Sequence, residues 1–157
     1  MARINNPKSG NAMGRSRITS PSQDTIRDDG TSLISIVDGE QIQIEITVGW
    51  MTDLSSSTIT AKVVEGANDG AGTVPKTAQA GGVVTTLPII DSVTTDNKFK
   101  MVIPENLIDS WNIAPTADSP VYGFIGLEID DGGVGDAKQV WKPLRGLVEV
   151  LYSPSEA

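Results

Sequence analysis

The sequence predicts an all-β fold, an antiparallel β-sandwich or small barrel, and three observations lead there. Residues 41–50 alternate strictly, with Ile42, Ile44, Ile46, Val48 and Trp50 set against Gln41, Gln43, Glu45, Thr47 and Gly49. Period two places the apolar set on one face of a sheet and the polar set on the other. Seven or eight β-rich segments recur along the chain, bounded by Gly, Asp, Asn or Pro. No helical pattern alternates with them, which excludes a parallel βαβ design.

Residues 1–32 are rich in Asn, Ser, Gly, Arg and Asp, and their few apolar side chains show no period. Such a segment cannot bury enough apolar area to offset its ordering entropy. It reads as an extended N-terminal arm, held by a neighbouring chain or by the body, with the sandwich domain occupying 33–157. Residues 33–37 form the first strand, and Asp38-Gly39 suits a hairpin into the Ile42 strand. Residues 57–64 follow, with Ile59, Ala61 and Val63 alternating against Thr58, Thr60 and Lys62. Residues 66–82 hold five Gly and no aromatic, and read as a long surface loop used for contact. Residues 83–90 are a β-branched run, and residues 98–103 put Phe99, Met101 and Ile103 on one face. Pro104 through Trp111 suggests one or two helical turns, with Pro at the first position and Glu105 near the N-terminal dipole. In residues 121–129, Ile125, Leu127 and Ile129 face one way and Tyr122 and Phe124 the other. Residues 137–141 and 144–152 give the final strands.

With 157 residues the chain is long enough for one domain with a real core. It has no Cys and no His. Without them thiolate zinc sites, Cys nucleophiles, Ser–His–Asp triads and His-based metal sites are excluded, and a non-enzymatic role is expected. The net charge is −8. Residues 1–17 carry Arg3, Lys8, Arg15 and Arg17 and no acid, so the remainder has 8 bases and 20 acids. A basic arm on an acidic body argues against nucleic acid and membranes as partners and for a protein partner. No run approaches the roughly 18 apolar residues of a membrane span. The N-terminus lacks the apolar core of a secretory signal, so synthesis in the cytoplasm is expected.

Three features are candidates for chemistry. Asp130, Asp131 and Asp136 surround the Gly-rich segment DDGGVGD, which invites a Ca²⁺ site. Asp and Gly are equally what a tight turn demands, the spacing is not that of an EF-hand, and no metal or other cofactor is expected. The three Trp residues read first as core plugs. Among them Trp141 is the interface candidate, because Lys138, Lys142 and Arg145 surround it in an otherwise acidic body. The candidate interface set is therefore Arg3, Lys8, Arg15, Arg17, Trp141, Lys142 and Arg145.

The layout from about Asp38 to Tyr152 resembles the immunoglobulin-like β-sandwich modules of tailed-bacteriophage virion proteins, such as the N-terminal domain of baseplate upper proteins. The likeness rests on the strand 41–50 leading into Asp53-Leu54-Ser55-Ser56-Ser57-Thr58-Ile59-Thr60-Ala61-Lys62. It continues in Ile103-Pro104 through Trp111, in Tyr122-Gly123-Phe124-Ile125-Gly126-Leu127-Glu128-Ile129, and in Gly146-Leu147-Val148-Glu149-Val150. A Ser stands where that family often has Gly after D-L-[TS], and the arm and the 66–82 loop depart from its pattern. The resemblance implies an antiparallel immunoglobulin-like sandwich and a virion location. It further implies a multi-copy symmetric assembly with tail adaptor, fibre or capsid subunits as partners. An accessory or adaptor role in the tail is the leading expectation. A capsid decoration (cement) protein is one alternative, and a carbohydrate-binding module is another.

Overall fold

The computed structural model describes residues 16–20, 25–26, 32–48, 54, 56–90, 98–130, 132–133, 135 and 140–154. Among the described residues lie β1 (Ser16–Ser20), β2 (Thr25–Ile26), β3 (Ser32–Val37), β4 (Ile42–Val48), β5 (Thr58–Glu65), β6 (Val84–Leu87), β7 (Ile89–Ile90), β8 (Lys98–Ile103), β9 (Val121–Asp130) and β10 (Val140–Leu151). They form two sheets, one of four strands in the order β1-β4-β8-β7 and one of six in the order β2-β3-β10-β9-β5-β6. The protein is all-β.

The alternation in β4 does what period two requires. Ile44, Ile46 and Val48 are buried, and in β8 of the same sheet Met101 stands opposite Ile44, Phe99 opposite Ile46 and Ile103 opposite Ile42. The six-stranded sheet supplies Ile34 and Ile36 of β3, Ala61 and Val63 of β5, Ile125, Leu127 and Ile129 of β9, and Val148 and Val150 of β10. These side chains make one core between the two sheets. Each fully buried Ile or Phe contributes roughly 1.5–3 kcal/mol relative to exposure.

Several local expectations are corrected. Asp38-Gly39 does make a turn, with the Glu40 N–H donating to Val37 O at 2.9 Å and Gly39 at φ 90°. It is no hairpin, because β3 and β4 lie in different sheets. The run 83–90 is likewise two strands in two sheets. Pro88 separates them, and its carbonyl accepts from the Val102 N–H at 2.9 Å as the chain crosses over. Residues 105–110 form successive turns and no helix, closed by Leu107 N–H to Pro104 O, Asp109 N–H to Asn106 O and Trp111 N–H to Ile108 O. Leu107, Ile108 and Trp111 still enter the core together. The two final strands are one, β10, whose pairing with β9 shifts register between Trp141 and Leu144. Pro143 lies in that shift and has no N–H to give a ladder.

The sandwich is not antiparallel throughout. β3 runs parallel to β10, with Ile34 opposite Val148 and Ile36 opposite Val150. Strand pairing also begins before residue 33: β1 pairs antiparallel with β4 and β2 with β3. An edge strand is held by its backbone bonds, so a segment such as Ser16–Ser20 needs no apolar period to join a sheet.

Candidate functional site

Among the described residues, four connecting segments gather at one end of the sandwich. The β3–β4 turn, the 66–83 loop, the 104–120 connection and the end of β10 meet there, as the registers Ile42 to Ile103, Glu65 to Gly123 and Val37 to Leu151 require. Two polar side chains, one buried and one half-buried, lock this end. Glu65 closes β5 and is 1% exposed. Its Oε2 accepts from the Asn112 N–H at 2.6 Å, its Oε1 from the Val83 N–H at 3.2 Å, and both oxygens from Asn112 Nδ2 at 3.1 Å. The carboxyl group thus joins the end of one strand to both long connections. Asn68 works as a substitute piece of strand: its Oδ1 accepts from the Tyr122 N–H at 2.8 Å, and its Nδ2 donates to Gly66 O and Tyr122 O. Gly66 is needed at the crossing, because a Cβ there would lie 2.7 Å from both Pro75 Cγ and Tyr122 O.

The 66–82 loop is therefore a built element. Its Ala67 N–H donates to Thr77 O, its Gln79 N–H to Glu65 O, and Ala71 N–H to the Asp69 carboxylate at 2.8 Å. That last bond, with one from the Thr73 side chain, holds the Asp69 carboxyl below the usual carboxylate range. Asp38 moves the other way. Burial raises its pKa, the nearby Asp109 charge adds to this, and a bond from the Gly39 backbone partly offsets it. The folded form then keeps this proton more tightly than the unfolded one, so its contribution to stability declines as pH rises through the interval between the two values. Glu40, Asp69, Glu105, Asp109 and Asp118 are exposed at the same end, with Lys76 the base among them.

The outer face of the six-stranded sheet carries two rows that cross several strands. In the first, Ser35 Oγ donates to Glu149 Oε1 at 2.7 Å and the Tyr122 hydroxyl donates to Glu149 Oε2 at 3.1 Å. This brace spans β3, β10 and β9. The neighbouring row is apolar: Leu33, Leu147, Phe124, Val64 and Val84 stand opposite one another across β3, β10, β9, β5 and β6. It runs from Leu147, which is buried, to Val84, which is 55% exposed.

Compared with known proteins, the chain matches no family model and no curated protein.

Of the expected interface residues, Arg3, Lys8 and Arg15 lie outside the described residues. Arg17 is in β1 opposite Thr47, in the four-stranded sheet. Trp141 and Arg145 are in β10, opposite Ile129 and Gly126, and Lys142 falls in the register shift. The side chains of Arg17, Trp141, Lys142 and Arg145 lie outside what is described. The described members of the expected set thus lie on two strands of different sheets, Arg17 on β1 and the other three on β10. The Asp-rich segment is a turn at its first residue, where Asp130 Oδ1 accepts from the Gly132 N–H at 2.9 Å, while Asp131 and Asp136 lie outside the described residues. Among the described residues no cluster of acids has metal-binding geometry. Millimolar Ca²⁺ is expected to leave the melting temperature unchanged, since a ligand that binds only the folded chain must raise it. An upward shift in calorimetry would mark a cation site in this turn.

Proposed function

We propose that this chain is a non-enzymatic virion structural protein, an accessory or adaptor β-sandwich of a phage tail that docks onto neighbouring subunits through its arm and loops. The observation that carries the reading is the locked end of the sandwich. Glu65 and Asn68 fix two long connections against one frame, so the loop surfaces are presented to a partner already ordered. Pre-ordered loops avoid the entropy that a mobile loop loses on binding. The strand order β1-β4-β8-β7 and the run β10-β9-β5 support the resemblance, since immunoglobulin-like sandwiches lay out their ABED and GFC sheets in this way, the latter here extended by β6 on one side and by β3 and β2 on the other. The basic residues 1–17 and the acidic body favour docking between chains by opposite charge.

Replacing Arg3, Lys8, Arg15 and Arg17 together with Ser is expected to weaken incorporation into particles while leaving the melting temperature almost unchanged. Exposed charge pairs contribute about 0–1 kcal/mol each and are screened by salt, so the loss should be largest at low ionic strength. Quantitative mass spectrometry of purified particles checks this and gives the copy number. A tail ring requires about 6–12 copies by closed cyclic symmetry, whereas hundreds would assign the chain to capsid decoration. Absence of the wild-type chain from particles overturns the reading.

A further inference from the structure

Two glycines of β9 stand inside the six-stranded sheet, and the fold explains one of them. At Gly123, on the core face, a Cβ would meet Trp111 at 2.6 Å and Val63 at 2.8 Å. At Gly126, on the outer face, a Cβ would meet nothing within 4 Å, and φ is not positive. No register shift falls there either. β5 pairs with β9 without interruption, and the shift against β10 lies beyond Leu127. Glycine in a strand interior weakens the strand and often marks a place where something approaches the backbone closely. The same registers set Lys62 of β5 and Arg145 of β10 directly opposite Gly126, one on each side. Lys62 is exposed, and alternation places Arg145 on the face that carries Glu149. Phe124, two residues back along β9, is half-buried on the same face.

We infer that Gly126 is the floor of a docking notch for a carboxylate side chain of a partner protein, held between Lys62 and Arg145 while an apolar neighbour of that carboxylate lies on Phe124. Adjacent strands lie about 4.8 Å apart, less than the reach of a Lys or Arg side chain, so two flanking cations can close on one group seated over the bare backbone. Charge selects the occupant. Residues 18–157 carry 8 bases and 20 acids, yet the row Arg145, Gly126, Lys62 and Thr86 holds two bases and no acid. Of the nearest acids on this face, Glu149 already accepts from Ser35 and Tyr122. Glu128 is the other, and even with it the row keeps a net positive charge. A second copy in two-fold contact would lay these cations on themselves, and the basic residues 1–17 would be repelled as well. A polyanion such as nucleic acid meets the −8 of the whole chain. A free small anion is held too weakly, since each exposed charge pair strengthens binding by no more than about fivefold. The anion therefore comes on a surface that also covers Phe124, a protein segment with Asp or Glu beside an apolar residue. This rests on the chain docking onto proteins and not on a virion location.

The test is a titration of the isotope-labelled full-length chain, followed by its amide shifts, with a short blocked peptide of Leu, Ser and Glu. The amides of Lys62, Gly126 and Arg145 should shift together, with a dissociation constant on the order of 1 mM. The same peptide with Gln for Glu should bind about fivefold more weakly, and so should the Glu peptide to Lys62→Gln or Arg145→Gln. Added salt should weaken binding, because it screens exposed pairs. Gly126→Val separates docking from folding. It should raise the melting temperature by about 1–3 °C, since a β-branched residue suits an open strand position better than glycine. Its side chain fills the notch and should remove the peptide response. Absence of shifts at Gly126 with the Glu peptide overturns the inference. So does a Gly126→Val chain that melts lower, which would make the glycine structural, or one that binds the peptide as the wild type does. Acetate that binds as well as the peptide also overturns it, since the notch would then take bare anions. Incorporation of the arm variant into particles reads separately, because that variant leaves Lys62, Gly126 and Arg145 untouched.

Discussion

Glu65→Ala is expected to destabilise the domain by about 3 kcal/mol, because it leaves two part-buried backbone donors without their acceptor and empties the enclosed place of the carboxylate. The carboxyl group is the acceptor for the Asn112 N–H and the Val83 N–H, and it is almost fully enclosed. Each unsatisfied buried donor costs roughly 1–3 kcal/mol, and neither N–H can turn to water as freely as the exposed Asn112 side chain can. For a chain of this length 1 kcal/mol moves the melting temperature by about 2–4 °C, so a drop of roughly 6–12 °C is expected. Glu65→Gln keeps the volume and one acceptor oxygen but presents an amide NH₂ where an N–H already points, and an intermediate loss follows. The loss should be local before it is global. Amide exchange in 66–82 and 104–113 should accelerate well before that of β4 or β8, since Glu65 is what joins those connections to β5. Wild-type melting in the Ala variant would mean that the two connections are held by their own turns.

How much of this was legible depended on whether the information was local. The β4 alternation is local, and it put Ile44, Ile46 and Val48 in the core directly. The same holds for Phe99, Met101 and Ile103, and for the turn at Asp38-Gly39. What the turn connects is not local: the apolar period of β3 and β4 is the same whether they pair in one sheet or face each other from two. Glu65 and Asn68 were unreadable for a similar reason. An acid at a strand end and an Asn in a Gly-rich loop look solvated until Asn112, Val83 and Tyr122 are brought beside them from 18 to 54 residues away. Tyr122 and Phe124 were legible as facing away from the core. Their alignment with Glu149 and Leu147 needed the β9–β10 register. β1 left no sequence signal at all, since Ile18 is its one large apolar residue and its place in the sheet comes from backbone pairing.

Gly123→Ala is expected to cost about 2–3 kcal/mol, and the cost should depend on Trp111. A Cβ at residue 123 would lie 2.6 Å from Trp111 Cη2, 2.8 Å from Val63 Cγ1 and 3.1 Å from Val64 O. The carbonyl is fixed by the β5–β9 ladder and Val63 is fully buried, so the indole is the neighbour with room to give. Trp111 is 8% exposed, its Nε1 finds no acceptor among the described residues, and the turn ending at Trp111 holds its backbone. Overpacking of such a site typically costs 1–3 kcal/mol. Trp111→Phe removes both the clashing ring atom and the unpaired N–H. The relief of that unpaired donor offsets part of the lost ring burial, and a net loss near 1 kcal/mol is expected. In the Phe background Gly123→Ala should then cost about 1 kcal/mol less than in the wild type, a coupling of the size seen for side chains in contact. Urea unfolding of the four proteins checks this, with the midpoint moving and the slope constant. If the two substitutions simply add, Val63 and the Val64 carbonyl enforce glycine at 123, and the indole merely fills the space that glycine leaves.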